Sequence, residues 1–347
     1  YAYAFTKLFI TVQTSKQRFP GSPVKKDLII LSDDIFLTPK EQVQYCKAEG
    51  ICFNRMSKSE AVKYLEVNRN YFKLRTFRNN YVKDPHLLKY TNLDFADLVD
   101  LSNIDSQLRR ILLEMVLSIE HFSKLHLIRI VQKSKEDGYA VVRDYINQLS
   151  HDNQRRLSSD LKKNSRSLYC KSLFDNCIKK NITTCPVWVF VEIISLGQYL
   201  HFYDFCRQRY SRQSYAKELK ERLYLLWTVK DLRNACAHNN CIINDFRAPT
   251  SAKTIPSQSV NNALINLGIS THVRRKHLRR IPTHQIITTF YTHTLIVSSP
   301  EEHNHVVNEL QNFKKRLFLN SDYTHNDIIY SSFKLLEKLI DNWFIMI

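Results

Sequence analysis

The sequence predicts an all-α fold. Only 5 Gly and 9 Pro are spread over 347 residues, so few positions suit tight turns with positive φ, and long helices are the easier way to build the chain. Apolar residues recur at intervals of three and four through several long stretches, which aligns them on one helical face. Hydroxyl-x-x-Glu boxes stand before such stretches, where they satisfy amides that a first helical turn leaves without partners.

In chain order, Thr38-Pro39-Lys40-Glu41 and Ser57-Lys58-Ser59-Glu60 each predict a helix start, the first with proline at the first helical position. The second helix carries Ala61, Tyr64 and Leu65 and runs into Asn70-Tyr71-Phe72-Lys73-Leu74. Those aromatics suit stacking on bases, and they suit a core stripe better. From Asn103 to about Lys133, Ile104, Leu108, Ile111, Leu112, Met115, Ile119, Phe122 and Leu125 predict the longest amphipathic helix. Pro186 opens another with Trp188, Val191 and Ile194, which Gly197 is expected to end or kink before Leu200 to Arg209 continue. A helix from about Ser214 presents Leu219, Leu223, Leu226 and Val229 and ends near Asn239 or Asn240. Lys253 to Ser270, rich in Ser, Asn and Pro, reads as a loop, whereas Ile286, Ile287, Phe290, Tyr291 and Leu295 predict helix. Ser299-Pro300-Glu301-Glu302 opens a helix to about Leu317, and a last one is expected from Asn326 toward Trp343.

With 51 basic and 33 acidic side chains the formal charge is +18, which favours a polyanionic partner, nucleic acid first. The bias is local as well. No Asp or Glu stands between Asp245 and Glu301, while Arg247, Lys253, Arg274, Arg275, Lys276, Arg279 and Arg280 all fall inside, making them the candidate RNA-binding set. The eight cysteines contain no C-x-x-C and no zinc-like spacing with histidine, so they read as reduced thiols, with no metal and no small-molecule cofactor expected. The most apolar run, Val187 to Leu196, is interrupted by Glu192 and is too short to span a bilayer. No basic-then-apolar secretion segment is seen; the expected compartment is the cytoplasm, without membrane attachment.

One constellation carries chemistry. Asp231-Leu232-Arg233-Asn234-Ala235-Cys236-Ala237-His238-Asn239 holds Arg-x4-His on the last turns of a predicted helix, with small Ala235 and Ala237 permitting close helix approach and Asn234 one turn from His238. Arg279 and His284 repeat the spacing, but Pro282 lies between them, where a regular helix is not expected. RNA carries its own nucleophile, the ribose 2′-hydroxyl. An imidazole can move the protons and a guanidinium can hold the phosphate through two hydrogen bonds, giving a 2′,3′-cyclic phosphate and a 5′-hydroxyl without metal. Five positions correspond to about 140° around a helix, so one chain presents the pair poorly and two copies meeting across an axis would complete a cleft. The same residues also fit a plain structural role, Arg233 capping carbonyls and His238 standing at the surface.

Several further blocks run in order along nearly the whole chain: Ser59-Glu60-Ala61 with Tyr64-Leu65, Asn70 to Leu74, Tyr90-Thr91-Asn92-Leu93-Asp94-Phe95, Asp105 with Leu108-Arg109, Ile119-Glu120-His121, Asp137-Gly138-Tyr139, Pro186 to Gly197, and Leu232 to His238. Together they resemble the abortive-infection family of phage-resistance proteins, its AbiF branch most, within the HEPN superfamily. The resemblance implies a HEPN-type helical bundle with additional N-terminal and C-terminal helices, divided as an extension (1–37), an N-terminal helical region (38–90), the core bundle (91–245) and a basic loop with C-terminal helices (246–347). It further implies catalytic roles for Arg233 and His238, support from Asn234, Asn239 and Asn244, action as a homodimeric antiphage endoribonuclease, and association with a small structured noncoding RNA. Cys241 departs from the pattern, since an arginine often stands there. Two other readings stay open: a non-catalytic module holding a structured RNA, and a scaffold whose basicity is incidental.

Overall fold

The computed structural model describes residues 37–164, 182–252 and 254–347, and among them are 14 α-helices and no strand. The expected extension 1–37 lies almost wholly outside the described residues, as do Cys170, Cys177 and Lys253.

The N-terminal helices begin where the boxes place them: α1 spans Pro39–Ala48 and α2 Lys58–Val67, the latter with both halves of the Ser57/Glu60 capping box formed. A short helix α3, Tyr71–Leu74, runs into a 3-10 turn, Arg75–Asn80. This aromatic cluster faces mainly inward. Leu74 and Phe77 are buried, and the Tyr71 hydroxyl meets Cys46 Sγ at 3.6 Å, its phenol pushed up by burial. Phe72 alone turns out, with the Arg75 guanidinium 4.9 Å from its ring centre.

Helix α4, Phe95–Lys133, has 39 residues and is roughly 58 Å long at 1.5 Å per residue. It starts ahead of the expected Asn103 because Asp94 caps it, accepting from the Ala96 amide at 2.9 Å, while Asp97 reaches back to the Asp94 amide at 3.0 Å. A cap of this kind contributes about 1 kcal/mol.

After α5, Gly138–Gln148, and α6, His151–Asn164, come α7, Val187–Ile193, and α8, Leu196–Arg209. The break between the last two corrects the expectation for Gly197. It falls at Ile194, because Ser195 caps the new helix and exchanges hydrogen bonds with Gln198, leaving Gly197 inside the first turn. Helix α9, Ala216–Ala237, follows. A second correction concerns 253–270, expected as loop: α10, Gln258–Asn266, lies within it, capped by Ser257 and anchored by buried Val260 and Leu264. Two apolar anchors one turn apart and a hydroxyl cap outweigh the polar composition. Then come α11, Thr271–Leu278, α12, Ile281–Ile296, α13, Pro300–Arg316, and α14, Asp327–Trp343, the last two close to their expected bounds.

The long helix divides the interior. Its first half, from Phe95 to Met115, packs into one apolar cluster with residues of α1, α2 and α10 to α14. Its second half, from Val116 to Val131, joins α5, α7, α8 and the first turns of α9 in another. Helix α9 crosses between them, with Leu219, Leu223, Leu226 and Val229 in the second cluster and Leu225, Leu232 and Cys236 in the first. Helices α4, α9 and α12 touch one another along their lengths, and the end of α9 is where the Arg-x4-His pattern sits.

Candidate active site

Helix α9 ends on a motif written by local chemistry. His238 is its C-cap, with its amide donating to the Asn234 carbonyl at 3.0 Å. Asn239 follows at φ +56, in the left-handed region that asparagine tolerates better than most residues. The Asn239 amide then reaches the Cys236 carbonyl at 3.0 Å and the Asn240 amide reaches Ala235 at 2.9 Å, closing the last turn in a Schellman arrangement. Asn239 therefore shapes this turn through its backbone.

The chain beyond is held from three directions. Lys73 Nζ donates to the Asn239 carbonyl at 2.7 Å and Arg109 to the Asn240 carbonyl at 3.0 Å. Asp105 Oδ1 accepts the amides of Ile242 at 2.6 Å and Ile243 at 3.0 Å, while its other oxygen pairs with Arg109 inside the protein. Burial pushes the Asp105 carboxyl up, and the amides and Arg109 oppose that push. Buried Asn80 completes the frame, donating to the carbonyls of Ile243 at 3.0 Å and Asn244 at 3.2 Å and accepting the Phe246 amide at 2.7 Å. Asn244 thus meets the frame through its carbonyl, and Cys241 Sγ, partly buried, lies 3.8 Å from the Lys73 carbonyl.

On this fixed end, the imidazole of His238 is exposed, and Arg233, five residues earlier, is half-buried. Arg233 Nη1 lies 3.4 Å from Asn234 Oδ1, a long hydrogen bond, and among the described residues no acceptor meets its buried Nε. No hydrogen bond joins Arg233 to His238 among the described residues. The structure puts both groups at one helix end and leaves each with unused hydrogen-bonding capacity. The competing pair is set apart differently: Arg279 is the C-cap of α11, Pro282 stands in the first turn of α12, and His284 is buried, its imidazole pushed down by desolvation.

The candidate RNA-binding residues that are described fall on two surfaces. Arg274, Arg275 and Arg279 line a hollow of about 320 Å³ beside α10, with Arg274 committed to Asn261 at 3.0 Å, Thr271 at 3.1 Å and the Ile269 carbonyl. Arg247, Lys276 and Arg280 line a different cavity. Arg275 and Lys276, adjacent on α11, point to different faces, while Arg279 closes α11 and Arg280, in extended backbone, opens α12.

Asp105, Arg109, Asn80 and Lys73 are the residues that motif reading missed as site determinants. Their signal is a polar residue at a position that helical spacing assigns to the core: Asp105 and Arg109 are four apart and interleaved with buried Ile104, Leu108 and Leu112. Glu192, by contrast, is held locally, 3.5 Å from Lys124 Nζ, which also meets Glu120 at 3.1 Å. Among the described residues no helix is long and apolar enough to cross a membrane.

A family model described as Abi-like protein matches residues 63–244, more than half of the chain. The match ends at Asn244, inside the frame built by Asp105 and Asn80, and includes Arg109, Arg233 and His238. No curated protein and no solved structure matches the chain.

Proposed function

From the premise that the chain belongs to the Abi-like protein family, we propose that it acts in abortive infection as a HEPN-type endoribonuclease, with Arg233 and His238 as its reacting groups. The observation that carries this reading is the contrast at the end of α9: a backbone held by Lys73, Arg109, Asp105 and Asn80 carries an exposed imidazole and, five residues earlier, a guanidinium whose Nε is unpartnered among the described residues. Precise placement of a group without a structural task favours a task in catalysis.

In the proposed reaction, His238 takes the proton of a ribose 2′-hydroxyl, and the 2′-oxygen forms a bond to the adjacent phosphorus. The bond from phosphorus to the 5′-oxygen breaks, and an imidazolium returns a proton to that oxygen. Arg233 holds the non-bridging oxygens as charge builds on them. Because the two side chains leave the helix about 140° apart, a second copy of the chain supplies the opposite imidazole and guanidinium. The small structured RNA expected from the resemblance would restrain or direct the enzyme.

Purified protein is expected to cut RNA in EDTA, leaving 2′,3′-cyclic phosphate ends, and His238→Ala to stop cutting while sedimenting as a folded dimer. Cleavage that requires added metal, or that persists in the Arg233→Ala, His238→Ala double variant, overturns the proposal.

The second reading, an RNA holder without catalysis, draws on exposed Arg275 and Arg279. It predicts RNA affinity that falls in the double variant and no cleavage under any condition.

A further inference from the structure

Helix α11 and the start of α14, with the segment around Tyr81 to Leu93, enclose a cavity of about 660 Å³ whose lining includes neither Arg233 nor His238. Three of its cations, Arg247, Lys276 and Arg280, make no ion pair among the described residues. Arg247 donates to the carbonyls of Asn80 at 3.1 Å and Tyr81 at 3.4 Å, and Lys276 Nζ to Ser331 Oγ at 2.8 Å. Nη1 of Arg280 is buried and meets no acceptor. The other charges are already engaged or stand in water: Lys83 is paired with Glu49, Asp84 Oδ1 takes the amides of His86 and Leu87 at 2.8 Å, and Asp327 is exposed.

The three cations also press on one another. Desolvation and then Arg247 push the Arg280 guanidinium down, and desolvation and then Arg280 push Lys276 down, while Asp245 and Asp327 oppose these effects. The neighbouring imidazole of His277, buried and without hydrogen bonds among the described residues, is driven to about 4 by burial and by Lys276 and Arg280. A ligand that brings two negative charges removes this repulsion and gives the unpartnered guanidinium atom an acceptor.

We propose that this cavity is a receptor for a phosphate monoester, with Arg280 and Arg247 holding its oxygens and Lys276 adding a point charge. A dianion matches three close cations better than a single carboxylate, guanidinium forks fit phosphate geometry, and the volume leaves room for an attached nucleoside beside Tyr90 and Asn92. The group has two sources, the terminal phosphate of an RNA and a free mononucleotide. The inference does not depend on cleavage by Arg233 and His238.

The test is binding to the full chain of three probes: a 5′-phosphorylated octanucleotide with 2′-O-methyl riboses, its 5′-hydroxyl twin, and adenosine 5′-monophosphate against adenosine. The 2′-O-methyl groups remove the attacking hydroxyl, so failure here is separate from failure of the nuclease reading. The phosphorylated octamer is expected to bind at least tenfold more tightly than its twin. Arg280→Met should reduce that preference to under threefold, and Asp327→Asn should increase it, a gain that misfolding cannot imitate. Millimolar adenosine 5′-monophosphate that displaces the octamer, with adenosine inert, identifies the free nucleotide as a source; failure to displace assigns the site to RNA ends. Equal affinity for the twins together with equal affinity for the nucleotide and the nucleoside, or a preference that survives Arg280→Met, overturns the proposal.

Discussion

Asp105 and Arg109, one turn apart on α4, form a buried ion pair that together holds three residues just beyond His238: Arg109 takes the carbonyl of Asn240, and Asp105 takes the amides of Ile242 and Ile243. A charged pair inside a protein seldom adds much stability over an apolar substitute, but it is expensive to break by halves. Its value here is positional. It fixes the backbone that leads from His238 into the buried Ile242, Ile243 and Phe246.

Asp105→Ala is therefore expected to cost about 3–5 kcal/mol, since it leaves Arg109 buried without a counter-charge and two amides without acceptors. Chemical denaturation of the variant beside the parent measures it. A loss below about 1 kcal/mol would mean that water or a shifted side chain replaces the carboxylate.

Asn239, at φ +56, should tolerate glycine and resist alanine. Asn239→Gly is expected to match or exceed the parent in stability, and Asn239→Ala to lose about 1 kcal/mol to left-handed strain. RNA cleavage should survive in both, because the motif uses backbone groups. Abolished cleavage in a stable Asn239→Gly protein would assign the amide side chain a part in the chemistry.

Arg233→Lys keeps the charge and removes the planar fork, so cleavage should fall at least about tenfold, and His238→Ala should lower it about 10²-fold or more. At an exposed C-cap the second change should move stability by less than about 1 kcal/mol. Rates near the parental value in either folded variant would remove that residue from the mechanism.

Acid should destabilise the fold before its carboxylates are fully protonated. His277 and His293 are held neutral by burial, each driven to about 4 from an ordinary value near 6.5, so the unfolded chain binds protons first. The stability that their neutral forms contribute is complete above pH ~6.5 and is lost progressively as pH falls toward ~4, on the order of a few kcal/mol in total. Denaturation midpoints at pH 7.5, 5.5 and 4.5 test this. His293→Phe, which removes two ring nitrogens without partners beside Phe344, should flatten the decline; an unchanged slope would show that other groups cause it.

Much of the secondary structure was legible because its determinants are local. Ser57 with Glu60, Pro300 after Ser299, and Asn326 before Asp327 each mark a helix start through contacts within three residues. Where the reading missed, a local competitor was overlooked: Asp94 paired with Asp97 lengthened α4, Ser195 with Gln198 moved the break from Gly197, and Ser257 opened α10 within an expected loop. The Arg-x4-His pattern was visible, but the pattern could not say which copy ends a helix with its imidazole outside. That was settled by Pro282 starting α12 and by the burial of His284.

The sequence alone determined the helical class, most helix starts, the basic surplus and the arginine and histidine at the end of α9, since all of these follow from composition or from neighbours within a turn. Only the tertiary structure decided that Asp105, Arg109 and Asn80, more than 120 residues earlier in the chain, hold the backbone beyond that histidine, and that one basic segment serves two separate surfaces. The physical reason is that a buried polar group must find its partner wherever packing brings one within about 3 Å, and packing joins residues that the chain keeps far apart.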